Sequence, residues 1–225
     1  MQRHSHLVRT LCYNLDQRFK RLSILFFRRR SSFTDSDLLS VIEACQANDP
    51  QAQRTLFRQF YSYAKSVCMR YMANADEADD VLNESFLKVF QHLGSYDTSL
   101  PFKAWLRTIV VNTAISYHRK YHKLDTVTNQ SSLTGAVPDI PVPDTVIDQI
   151  SADDILALVQ QLPPVQRTVF VMHVVDGYSL REVADTLNAN EATIRSHFLR
   201  ARIRLQELVG TAFSTKHHPS RYYEN

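Results

Sequence analysis

Apolar residues recur at steps of three and four positions along most of the first half of the chain. This spacing places them on one face of an α-helix. Polar breaks with Asn, Asp and Pro separate the apolar runs, and Gly94 stands at the C-terminal end of one of them. The pattern predicts four helices, which run from residue 38 to a break at 48–50, from about 51 to 72, from about 77 to 93 and from 101 to about 122.

The same periodicity returns after residue 150 and predicts a second helical unit. Ser179 and Glu182 have the spacing of a capping box, in which each side chain bonds the backbone of the other. A tight turn, 187–190, follows, and Asn188 is suited to the left-handed backbone conformation. The predicted helices run from 150 to 161, from about 165 to 175, from 179 to 187 and from 191 to about 209.

Between these units the chain loses its periodicity and becomes rich in Ser and Pro, which is typical of a linker. The sequence therefore predicts an all-α protein with two helical domains joined by a flexible acidic linker. The expected segments are a basic N-terminal extension at 1–33, a first domain at 34–122, the linker at 123–149, a second domain at 150–210 and a polar tail at 211–225.

Charge is unevenly distributed along the chain. The net charge of +3 hides an N-terminal segment, 1–33, with eight Lys and Arg but one acid. The linker carries one Lys and four Asp. A protein of this kind that binds nucleic acid must concentrate its basic residues on particular faces.

Several functional classes find no support in the sequence. No apolar run approaches the ~20 residues of a membrane-spanning helix, so we expect no stable membrane insertion. Cys12, Cys45 and Cys68 are odd in number and widely spaced, which suits a reducing cytoplasm and neither a disulfide framework nor a zinc site. Without a Gly-rich phosphate loop or a nucleophile–base motif, we expect no enzyme, cofactor or metal.

Residues 179–204 have the spacing of a helix-turn-helix, whose second helix enters the DNA major groove. On that second helix, Arg195 and Arg202 suit contacts with backbone phosphates. The alternative is the solvated face of an ordinary bundle helix. The residues expected on a small, polar and basic reading face are Thr193, Ser196, His197, Arg200 and Arg204.

Motifs in both units resemble the extracytoplasmic-function (ECF) sigma factors of the sigma-70 family. The second unit resembles their region 4 through LPPVQR at 162–167, DGYSLREVA at 176–184, TIRS at 193–196 and RAR at 200–202. The first resembles their region 2 through DEADDV at 76–81, ESFLKVF at 84–90, FKAWL at 102–106, Asn112 and Arg119. His197 and Leu199 depart from the more usual basic or polar residues, which leaves the −35 preference open.

The resemblance implies a role for each surface. A polar face of the 77–93 helix would dock on the clamp helices of the RNA polymerase β′ subunit, although its acids also complement the helix dipole. The docking residues would be Asp80, Asn83, Glu84 and Lys88. The residues expected to contact −10 DNA, by capturing unstacked bases and backbone, are Tyr96, Asp97, Ser99, Lys103, Arg107, Asn112, His118, Arg119 and Lys120.

The resemblance implies a cytoplasmic transcription initiation factor that directs core RNA polymerase to promoters by reading −35 duplex and opening the −10 element. Its expected partners are core polymerase, through the β′ clamp helices and the β flap, promoter DNA and an anti-sigma factor. Two alternatives remain. One is a stand-alone helix-turn-helix regulator with a helical sensor domain, and the other is a helical adaptor that uses residues 1–33 on a membrane surface.

Overall fold

The computed structural model describes residues 33–122 and 151–214, and every regular element in these two ranges is helical. This confirms the all-α prediction. The expected linker, and the N-terminal extension before Phe33, lie outside the described residues. The helices are α1 Leu38–Gln46, α2 Pro50–Tyr71, α3 Ala75–His92, α4 Phe102–His122, α5 Ala152–Gln160, α6 Pro164–Phe170, α7 Leu180–Leu187 and α8 Glu191–Ser214.

The polar breaks of the first unit are helix N-caps. The Asp49 carboxylate accepts hydrogen bonds from the backbone N–H groups of Gln51 (2.7 Å) and Ala52 (3.2 Å) at the start of α2. The Asn74 side chain accepts one from the Glu77 N–H (2.9 Å) at the start of α3. Such caps satisfy N–H groups that have no partner within the helix.

Two of the predicted helix ends differ in detail. Gly94 follows α3 as expected, but it lies within a 3₁₀ turn, Leu93–Ser95, and the glycine with positive φ in the described ranges is Gly177 (81°). The helix predicted to reach residue 175 becomes a π-helical segment, Val171–Val175, after α6. That segment leads directly into the turn at Asp176.

The last helix continues past its predicted end at residue 209 and into the expected polar tail. It includes Gly210 and ends at Ser214. The Thr211 hydroxyl donates a hydrogen bond to the Glu207 carbonyl (2.9 Å). A mid-helix glycine costs roughly 1 kcal/mol relative to alanine, which a long helix tolerates.

The helix-turn-helix forms as the sequence predicts. Ser179 and Glu182 make both bonds of the capping box at the start of α7. Asn188 ends that helix in the left-handed conformation, with φ 54°. Val183 and Ile194 are completely buried between the helices.

Buried apolar side chains form one continuous cluster that extends from α1 through α8. Leu56, Leu82 and Leu106 occupy its centre in the first unit, where α2, α3 and α4 meet. The C-terminal end of α2 contacts α5 and α6 of the second unit. The two predicted units therefore touch, a contact that helical periodicity gave no reason to expect.

None of the helices in residues 33–122 and 151–214 is long and apolar enough to span a bilayer.

Candidate nucleic-acid and polymerase interfaces

Helix α8 presents basic side chains along much of its exposed surface. Arg202 is exposed, and Arg195 and Arg204 make exposed ion pairs with Glu191 (2.6 Å) and Glu207 (3.0 Å). Pairs of this kind contribute little to stability and exchange readily for other anions. These arginines are therefore accessible to DNA phosphates. Two more of the predicted residues, Thr193 and Arg200, are half-buried.

Two residues predicted to lie on the open reading face are buried instead. Ser196 and His197 are each 4% exposed, so the expectation of an accessible side chain is wrong for both. His197 follows Ile194 by three positions and precedes Ala201 by four, and both of these neighbours are fully buried. It therefore lies on the core side of the helix. The serine side chain is short enough to be covered by longer neighbours.

Burial also changes the chemistry of His197. Neither ring nitrogen of this residue has a hydrogen-bond partner. Desolvation, and secondarily the nearby Arg200 guanidinium, lower the pKa of His197 below its usual value. The imidazole is thus neutral at physiological pH and adds no positive charge to α8.

The loop between α3 and α4 exposes two of the residues predicted to contact −10 DNA. The Asp97 carboxylate accepts a hydrogen bond from the Ser99 backbone N–H (2.9 Å), and this bond lowers the pKa of Asp97. Both side chains remain accessible to solvent. The loop therefore presents a fixed anionic acceptor beside a hydroxyl group.

Tyr96, which the sequence assigned to the same loop surface, is only 8% exposed. Its ring lies 5.3 Å from the Phe102 ring and 5.1 Å from the Trp105 ring, centroid to centroid. Its hydroxyl donates to the Leu100 carbonyl. The expectation of an open base-stacking surface at Tyr96 is therefore wrong, because the ring completes an aromatic cluster.

Helix α4 presents three predicted contact residues directly to solvent. Lys103, Asn112 and Lys120 are exposed. The ammonium groups of the two lysines lie over aromatic rings, 5.5 Å from Tyr63 and 4.9 Å from Tyr121. Cations held in this way stay accessible to phosphates on their outer side.

His118 is the second correction in the predicted −10 set, because its side chain is completely buried. It lies four positions after Ala114 and three after Ile115, on the buried face of α4. Its Nε2 is 3.0 Å from the Tyr71 carbonyl oxygen at the end of α2. The residue therefore connects helices rather than facing DNA.

The remaining two residues of the predicted −10 set, Arg107 and Arg119, contact the second unit. The Arg107 guanidinium forms an ion pair with Asp176. The Arg119 guanidinium donates to the Thr186 carbonyl (3.2 Å). The sequence placed Asp176 only within the motif at 176–184, and its contact with the first unit was not predicted.

The predicted polymerase-docking residues form an exposed stripe on α3. Asp80, Asn83 and Glu84 are exposed. Lys88 is half-buried, pairs with Glu84 at 2.8 Å and also donates to the Thr113 hydroxyl (3.3 Å). Leu87 is 54% exposed on the same face. Leu87 follows Asp80 by seven positions, about two helical turns, so the periodicity of α3 could have added it to the predicted docking residues.

Sequence comparison identifies both units. The family model of sigma-70 region 2 matches residues 56–123, and that of sigma-70 region 4 matches residues 152–205. Together they cover more than half of the chain in the order that the sequence motifs suggested. The two matches lie on the two helical units and include α3, α4 and the helix-turn-helix.

Relatives that match most of the chain are also sigma factors. The RNA polymerase sigma-H factor of Pseudomonas aeruginosa is 28% identical over 171 residues, which cover 72% of this chain and 88% of that protein. The ECF RNA polymerase sigma factor SigM of Mycobacterium tuberculosis is 28% identical over 185 residues, or 82% of this chain and 89% of that protein.

A solved structure shows a more distant likeness. The sigma factor RpoE of Bartonella quintana, in complex with the anti-sigma factor NepR, is 21% identical to this chain with a TM-score of 0.43. The match covers 69% of this chain and 95% of that one. On the two regional matches and these relatives, the chain belongs to the sigma-70 family of RNA polymerase sigma factors, in its extracytoplasmic-function group.

Proposed function

We propose that this protein is a transcription initiation factor that binds core RNA polymerase and directs it to specific promoters. One observation carries the proposal: a single chain holds an exposed acidic stripe on α3 and an exposed basic helix, α8, within regions 2 and 4 of one family. A stand-alone helix-turn-helix regulator with a helical sensor domain accounts for α8 but gives no reason for the region 2 match and its exposed stripe.

Polymerase binding is assigned to the α3 stripe of Asp80, Asn83, Glu84 and Lys88. Its acids suit a basic surface on the β′ clamp helices, and Leu87 adds an apolar contact at its centre. Region 4, which we place at 150–210, would contact the β flap. Region 2, which we place at 34–122, would carry the β′ contact.

Promoter recognition is divided between two kinds of DNA. Arg195, Arg202 and Arg204 on α8 suit the phosphates of −35 duplex, and the half-buried Arg200 suits a base edge or a phosphate. The exposed residues assigned to opened −10 DNA are Asp97, Ser99, Lys103, Asn112 and Lys120, with Arg107 and Arg119 beside them.

We further propose that the protein acts in the cytoplasm, with the polymerase, and contributes no catalysis of its own. The nucleotidyl transfer belongs to the polymerase. An anti-sigma factor that covers the polymerase-binding surfaces is the regulator that the family implies.

The test is transcription from mapped promoters. Transcript starts are mapped after overexpression, and a template carrying the shared upstream boxes is transcribed with core enzyme and the purified chain. We expect a run-off product that requires both proteins and both boxes. Sequence-specific DNA binding without any run-off product would instead establish the stand-alone regulator.

A further inference from the structure

A groove on region 2 lies between the C-terminal end of α1 and the last turns of α3. Its volume is about 440 Å³, which is the size of a cleft that holds a small ligand or a few side chains. The Gln46 side chain donates to the Leu93 carbonyl (3.0 Å) and thereby joins the two walls. None of the residues that line the groove within the described ranges is charged. Its polar lining consists of carboxamides, namely Gln46, Asn48, Gln53 and Gln91.

The apolar part of the groove is open to solvent. Leu87 is 54% exposed, and Phe90 beside it is half-buried. Gly94 lines the same part, and a Cβ atom at this position would have no neighbouring atom within 4 Å. Since Leu87 also lies on the face of the α3 stripe, the groove is continuous with the surface proposed to bind polymerase. An open apolar cleft of this kind suits uncharged, apolar side chains.

Acidic residues lie on both sides of the groove. On the α1 side, residues 33–53 contain four acidic residues and no Lys or Arg. On the α3 side, Glu84 and Asp80 continue from Leu87 toward the start of the helix, and both are exposed. Glu84 pairs with Lys88, but a partly exposed pair exchanges its partner at little cost. The surface is therefore acidic, then apolar, then acidic from the start of α1 to the stripe.

The N-terminal extension contains a segment with the complementary order. Residues 24–27 are Ile-Leu-Phe-Phe, and the three arginines at 28–30 follow them directly. Three more basic residues precede the apolar run, namely Arg18, Lys20 and Arg21. Basic, apolar and basic residues in this order match the acidic, apolar and acidic parts of the surface. The proposed contacts with polymerase and promoter DNA make no use of this segment.

The point at which the chain enters the described structure brings this segment within reach of the groove. The Gln59 side chain donates to the Asp35 carbonyl (2.6 Å), which fixes the entry beside the start of α1. Helix α1 has nine residues and is about 13 Å long at 1.5 Å per residue. The six residues from Phe33 back to Phe27 can span about 20 Å. The apolar run can therefore lie at the far end of α1, where the groove begins.

We propose that residues 18–30 bind this groove within their own chain. The apolar run 24–27 fills the cleft, and the basic residues on either side of it pair with the acids of α1 and α3. The short connection to Phe33 gives the segment a high effective concentration at the groove, which favours it over a second copy of the chain. The bound segment covers Leu87 and so competes with core polymerase for the α3 stripe. This competition rests on the proposed function, whereas the binding itself rests on the groove and the segment.

The first test is photocrosslinking in the full-length chain. Phe26→p-benzoylphenylalanine places a reactive group in the apolar run, and mass spectrometry identifies the residues that it reaches. We expect crosslinks to residues 45–53 and 87–94. The matched control is Val8→p-benzoylphenylalanine, which lies outside the segment and should not reach the groove. Mixed isotope-labelled and unlabelled chains distinguish binding within one chain from binding between two. Crosslinks only between chains, or none to the groove, would overturn the proposal.

The second test fills the groove and leaves the segment unaltered. Gly94→Trp is sterically possible because a side chain at this position meets open space. The crosslink yield from position 26 should fall at least about fivefold, since the indole occupies volume that the apolar run needs. Gly210→Trp on α8, where a side chain also meets open space, is the control and should leave the yield unchanged. Circular dichroism establishes that both variants are folded. Equal yields in the two variants would place the segment elsewhere.

Binding of core polymerase supplies the functional readout. Phe26→Ser combined with Phe27→Ser should bind the polymerase at least about fivefold more tightly than the unaltered chain, because loss of two apolar contacts releases the segment from the groove. Leu7→Ser combined with Val8→Ser is the control and should not change the affinity. Equal affinity of the two double variants would refute the competition. Crosslinks to the groove in a chain that gives no polymerase-dependent transcript would support the binding and refute the proposed function instead.

Discussion

The two surfaces proposed to contact DNA differ in how accessible they are in the free protein. On α8 the exposed arginines face solvent or make exposed pairs within their own helix. On α4, Arg107 and Arg119 are engaged by the other unit. The proposed −35 arginines are therefore open to solvent, whereas two of the proposed −10 arginines are held by region 4. An arginine in an exposed ion pair can exchange its partner for a phosphate at little cost, whereas one paired with a buried carboxylate cannot.

The largest effect is expected from removing Arg167, the side chain of region 4 that donates to the backbone of region 2. Arg167→Ala removes a guanidinium donor from four carbonyl groups in a buried place. We expect the free energy of unfolding to fall by about 3 kcal/mol or more, because each buried acceptor left without a donor costs about 1–3 kcal/mol. Urea unfolding followed by circular dichroism measures it. Arg181→Ala, on the exposed start of α7, is the control and should change stability little.

A second prediction concerns the open stripe on α3. Asp80→Ala combined with Glu84→Ala should weaken binding to core polymerase at least about tenfold, since charged contacts in an interface contribute on this scale. Stability should change little because both side chains are exposed. Glu43→Ala, an exposed acid on α1, is the matched control. Equal affinity of the double variant and this control in a polymerase pull-down titration would contradict the docking assignment.

A third prediction compares the two arginine surfaces directly. Arg202→Gln should weaken −35 duplex binding by about 1 kcal/mol and reduce the salt slope by about one unit, as loss of one phosphate contact does. Arg202→Gln should leave the free energy of unfolding unchanged because its side chain is exposed. Arg107→Gln should lower the free energy of unfolding by about 1–3 kcal/mol, because it removes the ion-pair partner of the buried Asp176 carboxylate. Urea unfolding measures both variants, and equal stability of the two would contradict the contrast between the surfaces.

A smaller effect is expected from the buried histidine of α8. The pKa of His197 is lowered in the folded chain, so below about pH 6.5 the unfolded chain binds a proton that the folded chain does not. Stability should therefore fall as the pH decreases through this window, by at most about 1.4 kcal/mol per pH unit from this residue. His197→Leu should show a shallower slope between pH 7 and pH 5.5. An identical slope would mean that the imidazole is accessible to solvent.

Much of the local structure could be predicted from the sequence. Asp49 and Asn74 act as caps, Ser179 and Glu182 form the capping box, and Asn188 ends α7 in the left-handed conformation. Each of these outcomes depends on residues within a few positions of one another. Such short-range interactions are encoded directly in the order of the residues.

The predicted site residues also divide into those whose exposure follows from local periodicity and those whose burial depends on tertiary packing. The exposed positions of α3 follow from its periodicity, and Leu87 could have been added by the same reasoning. Tyr96, His118, Ser196 and His197 were wrongly expected to be open. A polar residue type indicates exposure on average, but burial depends on which neighbouring element covers that face.

By itself, the sequence determined an all-α chain, the caps and turns that bound most of its helices, and the two regions of a sigma factor. The contact of Asp176 with Arg107 and Tyr71 of the other region emerged only from the packing of the helices. Helical periodicity fixes the direction in which a side chain points around the axis of its helix. What lies opposite it depends on contacts between residues far apart in the chain, which no local pattern records.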